Sequence, residues 1–380
     1  MKKNQLVTLG KHIDILSGCA FPSSGFNRNN GVPLIRIRDI LSGKTETYYE
    51  GSYDLKYLIK KGDLLVGMDG DFNREYWKGT DALLNQRVCK ITPNPETLDK
   101  NFLYHFLQKE LDKIHATTDV VTVKHLSVKK IQDIKIRLPS LKEQKRIAAI
   151  LDKADAIRQK REQAIKLADD FLRAKFLEKF GTPANNIHRF PKGTIRDLVD
   201  SVNYGTSAKA SIDSGEYPIL RMGNITYQGR WDFTDLKYLD LSVKEKDKYL
   251  VKEGDLLFNR TNSKELVGKT AVYEEDRPMA FAGYLIRVRP NSIGNNYYIS
   301  GYLNSIHGKI TLMNMCKSIV GMANINAQEL QNIEILIPPK HLQDEYEIIY
   351  KKIKKGLSIY DKSAMQLQLL ASNLSNKYFM

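Results

Sequence analysis

The chain has 380 residues, with 59 Lys and Arg against 44 Asp and Glu, and a formal charge of +15 at pH 7. That length accommodates two or three domains with their own cores, and the cation excess favours a polyanion as partner, because Lys and Arg displace counterions from phosphates. Three scattered cysteines, Cys19, Cys89 and Cys316, exclude a disulfide framework; no leader pattern opens the chain and no apolar run reaches membrane length, so a cytoplasmic, membrane-free protein is expected.

In chain order, Leu34 to Arg38 alternates with period two and predicts a strand with Arg36 and Arg38 on one face. Gly62-Asp63 predicts a turn into a buried strand at Leu64-Leu65-Val66. Arg87 to Ile91 predicts another strand, stopped by Thr92-Pro93, and Asn101 to His115 a helix with Phe102, Phe106 and Leu107 inward. Residues 1–140 thus form a strand-rich unit of mixed α and β. Residues 141–181 hold neither Pro nor Gly until Gly181-Thr182-Pro183 and predict one long helix. Its stripe is Ile150, Ala154, Ile157, Arg161, Ala164, Ala168 and Phe171.

Residues 182–339 then repeat the first unit, and 340–380 repeat the helix. Pro33 to Ile40 returns as Pro218 to Ile225, Lys61 to Leu65 as Glu253 to Leu257, and Leu126 to Pro139 as Ile325 to Pro338. The landmarks keep their order while their offset grows, so insertions lie between them. The second helix carries Leu342, Tyr346, Ile349, Ile353, Tyr360, Leu367, Leu370 and Leu374 on one face. At 1.5 Å per residue, ~40 residues span roughly 60 Å. A helix with one apolar face must bury it, and each is the other's economical partner, so an antiparallel coiled coil is expected, broken at Arg161 and Gly356. Ile150, Ala154, Ile157, Tyr346, Ile349 and Ile353 are its candidate pairing residues, or a surface for partner proteins.

The repeated framework carries unlike tips. Val66 to Arg74 stands against Phe258 to Lys264, Asn85-Gln86-Arg87 against Ala282-Gly283-Tyr284, and Thr122 to His125 against Gly321 to Asn324. Arg and Lys can grip guanine or phosphate, and Asn and Gln can read adenine. Candidate DNA contacts are therefore Arg36, Arg38, Arg74, Gln86, Arg87, Lys124 and His125 in the first unit. In the second they are Arg221, Asn224, Asn259, Arg260, Asn262, Lys264, Tyr284 and Asn324. A solvated strand face would explain Arg36 and Arg38 as well, and loop drift the unlike tips. Asp63 and Asp255 read as turn residues. Asp69-Gly70-Asp71 imitates a calcium loop, but Arg74 stands where the turn glycine belongs and Thr80 where the bidentate Glu belongs. No G-x-G-x-x-G, no phosphate-binding G-x-x-x-x-G-K-[ST] and no Asn/Asp-Pro-Pro-aromatic sequence occurs.

Gly62-Asp63-Leu64-Leu65, the run from Leu126 to Pro139 and Leu141-Lys142-Glu143-Gln144-Lys145-Arg146-Ile147 together resemble the specificity (S) subunit of type I restriction–modification systems over essentially the whole chain. The second copy departs from the first: it keeps Pro338-Pro339 and Gln343 but has Asp344-Glu345-Tyr346 in place of Lys-Arg-Ile. The resemblance implies two target recognition domains, each reading half of a split, asymmetric double-stranded DNA sequence, with the helices as spacer. It implies docking of two modification (M) subunits carrying S-adenosylmethionine, and of restriction (R) subunits using ATP and Mg. It implies no cofactor, metal or catalysis in this chain. A self-contained nuclease or methyltransferase and a scaffold that binds no DNA are the competing readings.

Overall fold

The computed structural model describes residues 5–118, 124–319 and 322–379. Two compact units divide the chain: Met1–Lys160 with Lys362–Met380, and Arg161–Asp361.

In the first unit, an antiparallel sheet runs in the order Ile13–Ser17, Val88–Pro93, Leu64–Gly67, Arg74–Tyr76. Five shorter strands make a second sheet, in which Val32–Ile35 and Ala82–Leu84 pair in parallel. Gln5–Thr8 pairs with Lys135–Leu138. The helix Lys100–Ala116 starts where the Asp99 carboxylate accepts the amides of Asn101 and Phe102, each at 3.0 Å. It buries Phe102, Leu103, Phe106, Leu107 and Leu111, which fall on one helical face.

The second unit repeats this plan. Its main sheet runs Val199–Tyr204, Leu285–Pro290, Leu256–Asn259, Thr270–Val272, and its second sheet holds the parallel pair Tyr217–Leu220 and Met279–Phe281. Two helices, Asn296–Leu303 and Ile306–Met315, take the place of one. Turns match in detail. Gly62 and Gly254 sit at φ +92° and +88°, and the next carboxylate accepts a backbone amide three residues back: Lys60 N to Asp63 and Lys252 N to Asp255, both 2.9 Å. Both aspartates are thus turn residues.

One strand is shorter than its alternation predicts. It ends at Ile35, and Ile37–Asp39 is a turn of 3-10 helix. The Asp39 carboxylate accepts Arg36 N at 2.9 Å, and Asn224 Oδ1 accepts Arg221 N at 2.8 Å in the second unit. This side-chain acceptor competes with the ladder and bends the chain, so Arg36 and Arg38 do not share a strand face.

The long helices are Leu141–Phe180 and Lys340–Phe379. Gly181, at φ +68°, closes the first by donating its amide to Leu177 O at 2.8 Å. Each unit takes the opening half of one helix and the closing half of the other, as an antiparallel pair requires. In the first unit Ile147, Ala148, Leu151 and Phe379 join the core that holds Phe102 and Phe106. In the second, Phe176, Phe180 and Tyr346 pack around Tyr298. The buried positions are therefore not the expected stripe. Ile150, Ala154, Ile157, Ile349 and Ile353 are only half-buried, and Phe171 and Leu370 are each 50% exposed. The reason is that the helices bury themselves against the strand-rich units, which fixes their rotation. The side chain of Tyr360 lies outside the described residues.

A buried glutamine fastens each helix. Gln144 Nε2 donates to Thr97 O at 3.0 Å and Pro139 O at 2.9 Å, while its Oε1 accepts Asp99 N at 2.8 Å. Gln343 Nε2 donates to Ile293 O at 3.0 Å and Pro338 O at 2.9 Å. Gln144→Ala strands three buried backbone groups, and we expect a loss of about 2–4 kcal/mol. Gln144→Glu, which keeps the shape but not the donors, should lose a comparable amount. Urea unfolding followed at the first unit's aromatic residues checks both; a wild-type midpoint for either variant contradicts the role.

Candidate nucleic-acid interface

One concavity of about 830 Å³ in the first unit gathers four of the expected residues: Arg36, Arg38, Gln86 and Arg87. Phe21, Phe26 and Leu41 supply apolar wall, and Asp69, Asp71 and Asn73 the polar floor. The Arg36 guanidinium lies 5.4 Å from the Phe26 ring centre, a cation–π contact that stiffens the side chain. Arg38 is the freest cation, its side chain 67% exposed and its Nε 3.8 Å from Asp39. Arg87 sits at φ +77° in the turn before its strand, with Nε 3.3 Å from Asp69 Oδ2. Asp69 Oδ1 meets His125 Nδ1 at 2.6 Å. Lys124 instead donates to His115 O at 2.6 Å. Thr122 and Val123, and Gly321 opposite them in the repeat, fall outside the described residues.

Arg74 is turned elsewhere. Its guanidinium lies 3.4 Å from the centre of the Tyr104 ring, and Tyr104 stacks on Tyr76 at 4.7 Å. That stack occupies the side chain, so it is not brought to the concavity.

The second unit holds the matching residues differently. Arg221 Nη2 donates to Asp235 Oδ2 at 2.8 Å. Asn224 is buried: its Oδ1 accepts Arg221 N, and its Nδ2 donates to Asp232 O and Asp235 O. Its amide is therefore spent on the turn and has no edge to offer a base. Asn259 is 0% exposed, with neither polar side-chain atom hydrogen-bonded; it closes a strand and does not reach solvent. Arg260 lies 4.9 Å from the Tyr204 ring centre. Asn262 Oδ1 accepts Ser263 N at 2.9 Å, and Asn324 Oδ1 accepts the Thr261 hydroxyl at 3.1 Å. Tyr284 is 55% exposed.

Sequence reasoning missed Asp69, which it weighed only as a metal ligand. Among the described residues no cluster of His, Cys, Asp and Glu is placed to hold a metal ion. It also missed the setting of Lys264, which lines a concavity of about 430 Å³ with Arg173, Tyr227 and Lys309. Burial pushes the Lys309 ammonium down to about 8, assisted by Arg173 and Lys269. No helix among the described residues is long and apolar enough to cross a membrane.

The family model of the type I restriction modification DNA specificity domain matches residues 1–167 and again 190–371. The chain belongs to this family. It is 30% identical to the type I restriction enzyme EcoBI specificity subunit of Escherichia coli, an alignment covering 97% of this chain and 82% of that protein. It is 23% identical to the EcoKI specificity subunit of Escherichia coli strain K12, across 92% of this chain and 80% of that one. In fold it is similar to the type I restriction–modification S subunit crystal structure from M. genitalium, with a TM-score of 0.66 and 15% identity over 100% of this chain and 97% of that one. Specificity subunits are the non-catalytic DNA-recognition components of these systems, with no cofactor of their own.

As a DNA-facing surface, the first concavity predicts that Arg38→Ala weakens duplex binding by the assembled complex and lowers the slope of log K against log salt by about 0.9. Arg74→Ala should leave that slope unchanged. Fluorescence anisotropy across a salt series measures both, and equal slopes for wild type and Arg38→Ala would count against the assignment.

Lys309 yields a pH prediction. Its folded-state value lies below that of an unfolded lysine, so its charge costs stability in full below pH ~8, and the cost fades as pH rises towards ~10. Lys309→Met should raise the melting temperature at pH 7, with a smaller gain at pH 9.5. A gain that grows with pH would contradict this.

Proposed function

We propose that the chain reads a bipartite, asymmetric double-stranded DNA target and docks modification subunits, performing no chemistry itself. Residues 1–140 and 182–339 are the two target recognition domains, and 141–181 and 340–380 the helices that join them. The observation carrying this reading is the duplicated scaffold with unlike surface chemistry: turns and sheets match, while Arg38, Gln86 and Arg87 stand where the second unit has Gly223, Gly283 and Tyr284. Two equal frames with different tips suit two different half-sites. Ile150, Ala154 and Ile157 on the first helix and Ile349 and Ile353 on the second remain half-buried within the chain, which supports their availability to two M subunits, whereas Tyr346 is buried in the second unit's core. S-adenosylmethionine, ATP and Mg belong to the partners, with R subunits completing the complex in the cytoplasm.

Expressed with its M subunit in a methylation-free host, the chain should direct methylation to one split motif, mapped by methylome sequencing. The purified chain alone should neither incorporate methyl groups from S-adenosylmethionine nor cleave DNA with ATP and Mg. A single uninterrupted motif, or activity in the isolated chain, overturns the reading.

A further inference from the structure

Main-chain hydrogen bonds locate equivalent positions in the two units without any sequence alignment. Met68 N donates to Arg87 O, and Leu126 N to Met68 O; Arg260 N donates to Tyr284 O, and Ile325 N to Arg260 O. One residue further on, Asp69 bridges to His125 as Thr261 pairs with Asn324. Positions 69, 87 and 125 of the first unit therefore correspond to 261, 284 and 324 of the second. The hydrogen-bonding frame is common, but the side chains are not, and of the pair Arg87 and Tyr284 only Arg87 has a positive φ. The first set centres on an ion pair, with the Asp69 carboxylate 3.3 Å from Arg87 Nε and hydrogen-bonded to His125 Nδ1 at 2.6 Å. The second is neutral, the Thr261 hydroxyl donating to Asn324 Oδ1 at 3.1 Å beside an exposed Tyr284.

We propose that these three positions are the coupled base-reading set of each unit, and that Asp69 is a positioning residue that aims Arg87 at a guanine. This rests on the half-site reading above. Three observations support it. First, a guanidinium offers two double-donor edges; with Nε turned to Asp69, the Nη1–Nη2 edge is left to meet guanine O6 and N7. Second, a carboxylate in a groove that must approach phosphates is repulsive unless offset, and Arg87 offsets Asp69 while His125 hydrogen-bonds its other oxygen. Third, Arg87 occupies the left-handed region at φ +77°, which a side chain disfavours. The turn retains it there, with Val88 N donating to Asn85 O at 3.2 Å and Gln86 N to Asn85 Oδ1 at 2.9 Å. Such a backbone is kept where the direction of the side chain matters. The second set has no cation at any of its three positions, so its discrimination runs through hydroxyl and amide hydrogen bonds, suited to adenine or thymine edges.

The test is made on the chain assembled with its M subunit. Methylome mapping should show Asp69→Ala and Arg87→Ala each losing selection for guanine at the same position of one half-site, with the other half-site intact as a report of folding and assembly. The combined change Thr261→Asp, Tyr284→Arg and Asn324→His should install guanine selection in the other half-site. A variant that methylates nothing is read by competition between duplexes differing at that base pair, where a wild-type preference of roughly tenfold or more should fall towards unity for Asp69→Ala. Asp69→Ala with both half-sites unaltered, Asp69→Ala and Arg87→Ala relaxing different positions, or an unaltered second half-site in an active triple variant each overturn the triad alone. A wild-type complex that methylates no split motif overturns the half-site reading and the triad with it.

Discussion

The amide of a single glutamine, one turn into each long helix, is the constraint on which the arrangement depends. Gln144 gathers the carbonyls of Thr97 and Pro139 and the amide of Asp99. Those groups belong to the loop before one helix, the end of the last strand and the cap of that earlier helix. The Asp99 carboxylate caps the helix while its own backbone amide is taken up by Gln144, so one residue ties the cap to the long helix. An apolar residue of similar size would fill the volume but leave three polar groups without partners in a buried place. The helix therefore leaves its unit in one direction, and Gln343 fixes the second helix with its amide NH2 alone, through Ile293 and Pro338.

Around those fastenings the two units separate what is kept from what varies. The Gly62 and Gly254 turns, the bonds from Arg36 N and Arg221 N to the side chain three residues on, and the parallel strand pairs occur in both. They sit in the sheets and their corners, where a change would break backbone hydrogen bonds. The variable positions lie at the ends of the strands, where side chains change and, at Arg87 against Tyr284, the local backbone as well. Asp39 and Asn224 are chemically different but accept the same backbone bond, which explains why a short acceptor suffices at that place.

Much of this was legible in the sequence. Glycine followed by a carboxylate marks a turn because the physics is local, and a run of forty residues without Pro or Gly marks a helix for the same reason. The rotation of the long helices was not legible, because Phe176 and Phe180 are buried by contacts with Tyr298 and Tyr346, residues far away in the chain. Strand alternation misplaced Arg36 and Arg38, since a single side-chain acceptor at Asp39 outcompetes the ladder. Asn259 and Asn224 looked like readers because their residue types suit bases; only burial reveals that one closes a strand and the other holds a turn. Asp69 was hidden by the opposite error: beside Gly70 and Asp71 it reads as part of a failed calcium loop until Arg87 and His125 are seen around it.

The first unit's core contains Phe379, packed 5.3 Å from Phe102 and 5.7 Å from Phe106 between ring centres. Those partners are separated by more than two hundred and seventy positions of chain. Synthesis delivers the strands and helix of that unit long before the residue that seals them. The part translated first is therefore the last to be completed, while Arg161–Asp361 is contiguous and can close as it emerges. During that interval the nascent first unit exposes an aromatic face around Phe102 and Phe106, which makes it a natural client for chaperones and leaves premature termination products without a finished core.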